Sequence, residues 1–249
     1  MITRFYEKNR FHDDYASSYL ASQYDRLISL FRAFERKEPN ALSTYFTLHQ
    51  KQKGDILLHE GSSSRSVWLI DSCIVRSYTN GHNGEVTIGF YFPGDFVGSN
   101  ISRLLHKPSD HNLEVIQPGN VYEITEETLN HLQQLYPELH IIEKTISTCH
   151  SHRICQHQLS LQQNCATKRY LQLMPQHQQL HNIIYNTYIA SYLGITLPSL
   201  SRIKKEISQN QLRKKDGTSS NSTLPLGLYL LLGLLCQDPL SLFSLLPII

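Results

Sequence analysis

Disulfide-framework spacing, a signal-peptide core and the common nucleophile motifs are all missing from this 249-residue chain. Its five cysteines, at 73, 149, 155, 165 and 236, are odd in number and irregularly spaced, which excludes a disulfide scaffold and favours a reducing compartment. The first ten residues, MITRFYEKNR, carry charge where a secretory leader is apolar, so a cytoplasmic location is expected. No Ser/His/Asp or Cys/His pattern and no phosphate-cradling glycine loop is found, so no catalysis and no cofactor are expected. Charge is sparse too: 23 Lys and Arg against 21 Asp and Glu leave a net +2, and charged residues are only 18% of the chain.

That near-neutral total hides an asymmetry. Residues 144–215 hold ten basic side chains and one acid, Glu206, for a net +9, which leaves −7 over the rest. A basic half joined to an acidic half is the electrostatic pattern of a nucleic-acid-binding part attached to a part with another task. The basic half contains NTYIASYLGITLPSLSRIKKEI over residues 186–207, which reads as helix, tight turn, helix. Asn186 or Thr187 is the expected first N-cap, and Ile189, Ala190 and Leu193 share one face. Gly194 supplies the left-handed residue that ends the helix, Thr196 caps the second helix, and Pro198 sits in its first turn, where a missing N–H costs nothing. Ala190 permits close helix crossing and Leu200 plugs the shared core, so Ser199, Ser201, Arg202 and Lys205 are left for a major groove and its phosphates. The plainer alternative is a two-helix corner of an all-α domain with a solvated basic face.

Between Phe46 and Thr125 the texture changes to short strands and turns. Strands are expected at 56–58, 67–70, 74–78, 86–92, 114–117 and 121–125, with a hairpin loop over Asn80–Gly84, giving an antiparallel sandwich or roll. Helical patterns flank it at Asp25–Phe34 and from about Glu127 to Gln162. Within the second, a long helix from about Pro137 through Leu161 places Ile142, Ile146 and Cys149 on one stripe, an imperfect dimer seam.

This order resembles the Crp/Fnr family of bacterial transcription regulators. The similarity is carried by KGDILLHEG (53–61), VWLI (67–70), IVRSY (74–78), FYFPGDFVG (90–98), ATKRYL (166–171) and the helix-turn-helix, over roughly residues 25–210. It implies an α+β fold: an N-terminal antiparallel, jelly-roll-like β-roll of the cyclic-nucleotide-binding type, a long dimerisation helix and a C-terminal winged helix-turn-helix. The corresponding divisions are an extension over 1–24, the roll over 25–135, the helix over 136–162, the DNA-binding domain over 163–215, and a linker with an apolar tail over 216–249. The implied partners are double-stranded DNA, a second copy of the chain, a small-molecule effector and RNA polymerase. By the same resemblance Arg202 matches the arginine that reads guanine, while Thr196, Leu197, Ser199, Ser201, Lys204 and Lys205 complete the DNA surface, with Leu197 suited to a thymine methyl and the serines and lysines to phosphate.

The departures concern the effector. Cyclic-nucleotide-binding members follow Phe-Gly with a Glu for the ribose and then an Arg for the phosphate; here the segment is Gly98-Ser99-Asn100, and 104–119 contains no arginine. Burying a phosphate without a positive fork is unfavourable, so cyclic AMP and cyclic GMP are not expected. The effector pocket is placed at Phe96, Val97, Gly98, Ser99 and Asn100, for something apolar or uncharged or for no ligand. Cys73 stands where the family has a turn glycine, which questions the strand geometry there. Members with an iron–sulfur cluster carry cysteines before the roll, and this chain has none before Cys73.

The stretch Cys149-His150-Ser151-His152-Arg153-Ile154-Cys155-Gln156-His157 invites a metal reading, but Arg153 among the ligands favours a polar stretch of helix. A cupin-type metal enzyme is excluded because His82, His106 and His111 stand singly. The segment 224–249 carries one charge, Asp238; its first apolar run of 13 residues is shorter than the ~20 a membrane helix needs and prolines interrupt it. It is read as a non-native or frame-shifted extension or a loose tail rather than an anchor. The second class of function is a DNA-independent signalling or scaffold module, tethered to a membrane by that tail.

Overall fold

The computed structural model describes residues 18–82, 84–176 and 184–216, and the chain forms two compact units, 1–203 and 204–249. The extension up to residue 17 and the apolar tail lie outside the described residues. Helices α1 (Ser18–Lys37) and α2 (Ala41–Tyr45) lead into eight strands: β1 (Thr47–Lys51), β2 (Ile56–Leu58), β3 (Val67–Ile70), β4 (Ile74–Gly81), β5 (Gly84–Tyr91), β6 (Phe96–Val97), β7 (Asn112–Gln117) and β8 (Gly119–Ile124), with α3 (Asn100–Leu105) between β6 and β7. They form two four-stranded antiparallel sheets, ordered β1-β8-β3-β6 (sheet A) and β2-β7-β4-β5 (sheet B). Strand alternation sorts the cores. Trp68 and Ile70 of β3 enter the core with Val75, Val115 and Val121, whereas Leu69 joins Phe31, Phe34, Leu132 and Ile142 in a second core. Phe31 stacks on Phe96 at 5.9 Å, and Phe34 meets Tyr136 edge-on at 5.4 Å.

The expected strands are present, and two were missed: β1, whose half-exposed Thr-Leu-His-Gln-Lys shows little apolar alternation, and β6, only two residues long. Asn80 and Gly81 already pair with Glu85 and Gly84, so the loop expected over 80–84 is tighter. The turn at Cys73 needs no glycine there. His106 is the single non-glycine residue with positive φ among the described residues, and Cys73 is buried in the inter-sheet core, where burial pushes its thiol up to about 12. The tight approach is made from the other side: a Cβ on Gly119 would lie 2.6 Å from the Cys73 backbone nitrogen.

The helical stretch expected from Glu127 to Gln162 is broken at Tyr136-Pro137 into α4 (Glu126–Leu135) and α5 (Glu138–Gln163). Pro137 lacks an N–H, and the residue before a proline is pushed out of the α region, as Tyr136 is at φ −130°, ψ 84°. Thr125 caps α4, its hydroxyl accepting from the Thr128 N–H at 3.3 Å. The stripe read as a dimer seam faces inward instead: Ile142 and Cys149 are buried, with Ile142 and Ile146 packed in the core that holds Phe31 and Phe34. The apolar residues α5 leaves exposed are Ile141, Ile154 and Leu159. Among the described residues no helix is long and apolar enough to cross a membrane. Three further helices follow: α6 (Ala166–Gln176), α7 (Asn186–Tyr192) and α8 (Leu197–Asp216).

Gly119→Ala is expected to destabilise the chain by about 1–3 kcal/mol, because backbone rather than a movable side chain opposes the new methyl. Leu48→Ala, at a position 54% exposed, should stay within about 0.5 kcal/mol; urea denaturation compares the two.

Candidate nucleic-acid interface

Helices α7 and α8 are joined as the residue pattern requires. Ile189, Ala190, Leu193, Leu200 and Ile203 are each buried. Gly194 adopts φ +64°, and the Ile195 N–H reaches back to the Ala190 carbonyl at 3.0 Å, closing the turn in the left-handed manner that glycine allows. The N-terminus of α7 differs from expectation. Tyr185, not Asn186 or Thr187, occupies the cap position, its backbone extended at ψ 137° and without a side-chain cap bond. At α8 the cap is Thr196, whose hydroxyl accepts from the Ser199 N–H at 3.4 Å and lies 2.9 Å from the Ser199 hydroxyl. Thr196, Leu197, Ser201, Arg202 and Lys205 are exposed, while Ser199 and Lys204 are half-buried.

Not all of the basic residues counted over 144–215 face solvent with free charge. Arg169 turns inward: its Nε and Nη2 donate to the Leu193 carbonyl at 3.1 and 2.7 Å, and its Nη1 to the Asn164 carbonyl at 2.5 Å. The guanidinium therefore closes the exposed carbonyl end of α7. Arg153 pairs with Asp95 at 3.5 Å and lies over the Tyr91 ring.

The other face of α7 is occupied by the roll, through residues that the sequence pattern did not single out. Arg76, in the middle of β4, is 1% exposed and sits between two rings, with its guanidinium carbon 4.1 Å from the Tyr78 centroid and 3.7 Å from that of Tyr188. It pairs with Glu85 and, at 2.9 Å, with Glu114. Burial pushes the Glu114 carboxyl above the usual range against the pull of Arg76. One turn on, the Ser191 hydroxyl accepts from the Thr87 N–H at 2.9 Å. Tyr192 packs between Phe90 of β5, at 5.3 Å, and His157 of α5, stacked at 4.0 Å. Lys53 donates to the Tyr185 hydroxyl at 2.9 Å. Tyr185, Tyr188 and Tyr192 recur at helical spacing, and that aromatic stripe was the signal that could have revealed a second buried face. An arginine at the centre of Ile-Val-Arg-Ser-Tyr was the matching signal on the strand.

Of the residues expected at an effector pocket, Phe96, Val97, Gly98 and Asn100 line a cavity of about 100 Å³. Ser99 does not line it; its hydroxyl caps α3 by accepting from the Ser102 N–H at 3.2 Å. Arg103 reaches the cavity, but it is held by Glu143 of α5, and no arginine follows it in α3 or β7. His150 also lines the cavity and bonds the Tyr91 hydroxyl at 2.7 Å; burial, with Arg153 and His111 nearby, pushes it down to about 4, so the ring is neutral at pH 7. Among the described residues no group of three or more His, Cys, Asp or Glu is placed to hold a metal.

The family model for the cyclic nucleotide-binding domain matches residues 48–136, the span of both sheets. An anaerobic regulatory protein of Haemophilus influenzae is 25% identical over 164 residues, 61% of this chain and 63% of its own length. The fumarate and nitrate reduction regulatory protein of Escherichia coli K12 is 35% identical over 89 residues, 35% of each chain. This chain thus spans less than two thirds of either relative. The solved structure of FixK2 from Bradyrhizobium japonicum shares the fold, with a TM-score of 0.57 at 20% identity over 67% of this chain and 86% of that one. With a two-sheet roll that matches the cyclic nucleotide-binding domain over 48–136 and a helix-turn-helix on the same chain, the protein is similar to regulators of the Crp/Fnr type.

Proposed function

We propose that this protein is a cytoplasmic, homodimeric transcription regulator that reads a near-palindromic DNA site through α7 and α8, with the roll as its sensor and RNA polymerase as its downstream partner. The observation that carries this reading is the joint between α7 and α8: Gly194 at φ +64° and the buried Ala190 and Leu200 turn Ser201, Arg202 and Lys205 outward on a basic segment. Arg202 reads guanine by bidentate bonding to O6 and N7, Leu197 meets a thymine methyl, and Thr196, Ser199, Ser201, Lys204 and Lys205 hold phosphates. Because the inward stripe of α5 is spent on its own core, the second copy meets the outward one, where Ile141, Thr148 and Cys155 recur at seven-residue spacing on an exposed face. The missing phosphate fork argues for an effector other than a cyclic nucleotide. Arg76 and Tyr188 join the sensor to the reading head, so a change at the roll is felt by α7.

Selection of sites from random duplex DNA tests the reading: a palindromic consensus containing G is expected, and no enrichment by a folded dimer would sink it. Arg202→Ala should cost about 1–3 kcal/mol and relax one G position, whereas Lys205→Ala should weaken all sequences alike and lower the salt slope by about one. Mild oxidation should link two copies through Cys155, as judged by non-reducing electrophoresis, with the product lost in Cys155→Ser and retained in Cys165→Ser. Arg76→Met, which strands Glu114, should cost about 3 kcal/mol in denaturation, and Tyr188→Leu, which removes one ring from the cation, about 0.5–2 kcal/mol.

A further inference from the structure

We propose that the cavity on the helix side of sheet A binds a small, uncharged, ring-sized molecule with an apolar body and one hydrogen-bond acceptor. Its role as the effector site rests on the regulator reading above; its existence as a binding site does not.

Position comes first. Val67 and Phe96 line the cavity from the strands, packed in the core that holds Leu69, while Trp68 and Ile70 face the other sheet. The cavity therefore lies on the helix side of sheet A, under α1, α4 and α5, with Val97 of the inter-sheet core at its edge. Four phenylalanines, Phe31, Phe34, Phe46 and Phe96, give it aromatic walls. A water needs about 10–15 Å³ on this scale, so about 100 Å³ admits roughly seven non-hydrogen atoms, the size of one substituted six-membered ring. Apolar walls hold water poorly, and a void of this size weakens the fold until something fills it.

The polar edge sets the chemistry. Arg103 is 11% exposed on its side chain; its Nη2 pairs with Glu143, and its Nε is buried with no hydrogen-bond partner among the described residues. A buried N–H donor without an acceptor is a specific demand on a ligand. Since Glu143 already balances the guanidinium and also accepts from Gln133, the demand is for a neutral acceptor rather than an anion. His150, neutral at pH 7, adds no charge. The opposite wall is α5, through Ile142, Ile146, Ser147 and His150, and α5 also carries His157, which stacks on Tyr192 of the reading head. Filling the cavity thus bears on the helix that the head rests against.

The test is fluorine NMR titration of 4-fluorophenol, with fluorobenzene as the acceptor-free control, into the full chain without DNA. One saturable site is expected, lost in Ile146→Phe, which fills the space, and weakened about tenfold in Arg103→Lys, which keeps a charge beside Glu143 but removes the Nε donor; fluorobenzene should change less than about twofold. The single tryptophan, Trp68, reports by its fluorescence that each variant is folded, and Ser147→Leu narrows the same space should Ile146→Phe not fold. Signals that never saturate, or equal affinity in a folded cavity-filled variant, overturn the site. Saturable binding by a chain that selects no DNA sequence upholds the site and sinks the regulator reading; an operator-selecting chain without saturable binding does the reverse.

Discussion

Strand β3 is buried on both of its faces, and that double burial organises the first compact unit. Trp68 and Ile70 point toward sheet B, and Leu69, fully buried between them, points toward the helices. A sheet wet on one side would have left α1, α4 and α5 with nothing to cover. Because Leu69 and Ile124 need a cover, α5 lays its Ile142 stripe on sheet A, and its outward face is thereby left for other contacts.

Three arginines show how paired charge ties separate elements of the first unit together. Arg76 is held by two carboxylates and two tyrosine rings, Arg169 by the Leu193 carbonyl that ends α7, and Arg153 by Asp95 and Tyr91. Arg76 and Arg153 each serve a carboxylate and a ring, so neither is interchangeable with lysine, whose point charge cannot serve a planar fork and a ring at once. Arg153 and Arg169 also reduce the free positive charge of the basic half. Arg202 and Lys205 by contrast stay exposed.

Local chemistry explains what could be read beforehand. The β-strands, the capped start of α8 at Thr196 and the left-handed Gly194 follow from alternation, cap preference and backbone freedom, all of which act within a few residues. The cap of α7 escaped because a tyrosine with an extended backbone serves there without any side-chain bond. β1 and β6 escaped because one lacks apolar alternation and the other is two residues long. The cavity was half legible: Phe96, Val97, Gly98 and Asn100 were expected at a pocket, but its other walls come from helices far along the chain.

By itself the sequence determined the element types, the helix-turn-helix, the basic bias of 144–215 and the lack of a phosphate fork, since each depends on neighbouring residues or on composition. Only the tertiary structure decided which face of α5 is inward, that Arg76 meets Tyr188 and that an arginine with an unpaired donor borders an apolar cavity. Those outcomes depend on contacts between residues up to about a hundred positions apart, which no local pattern encodes because burial of both partners is settled only when the layers close.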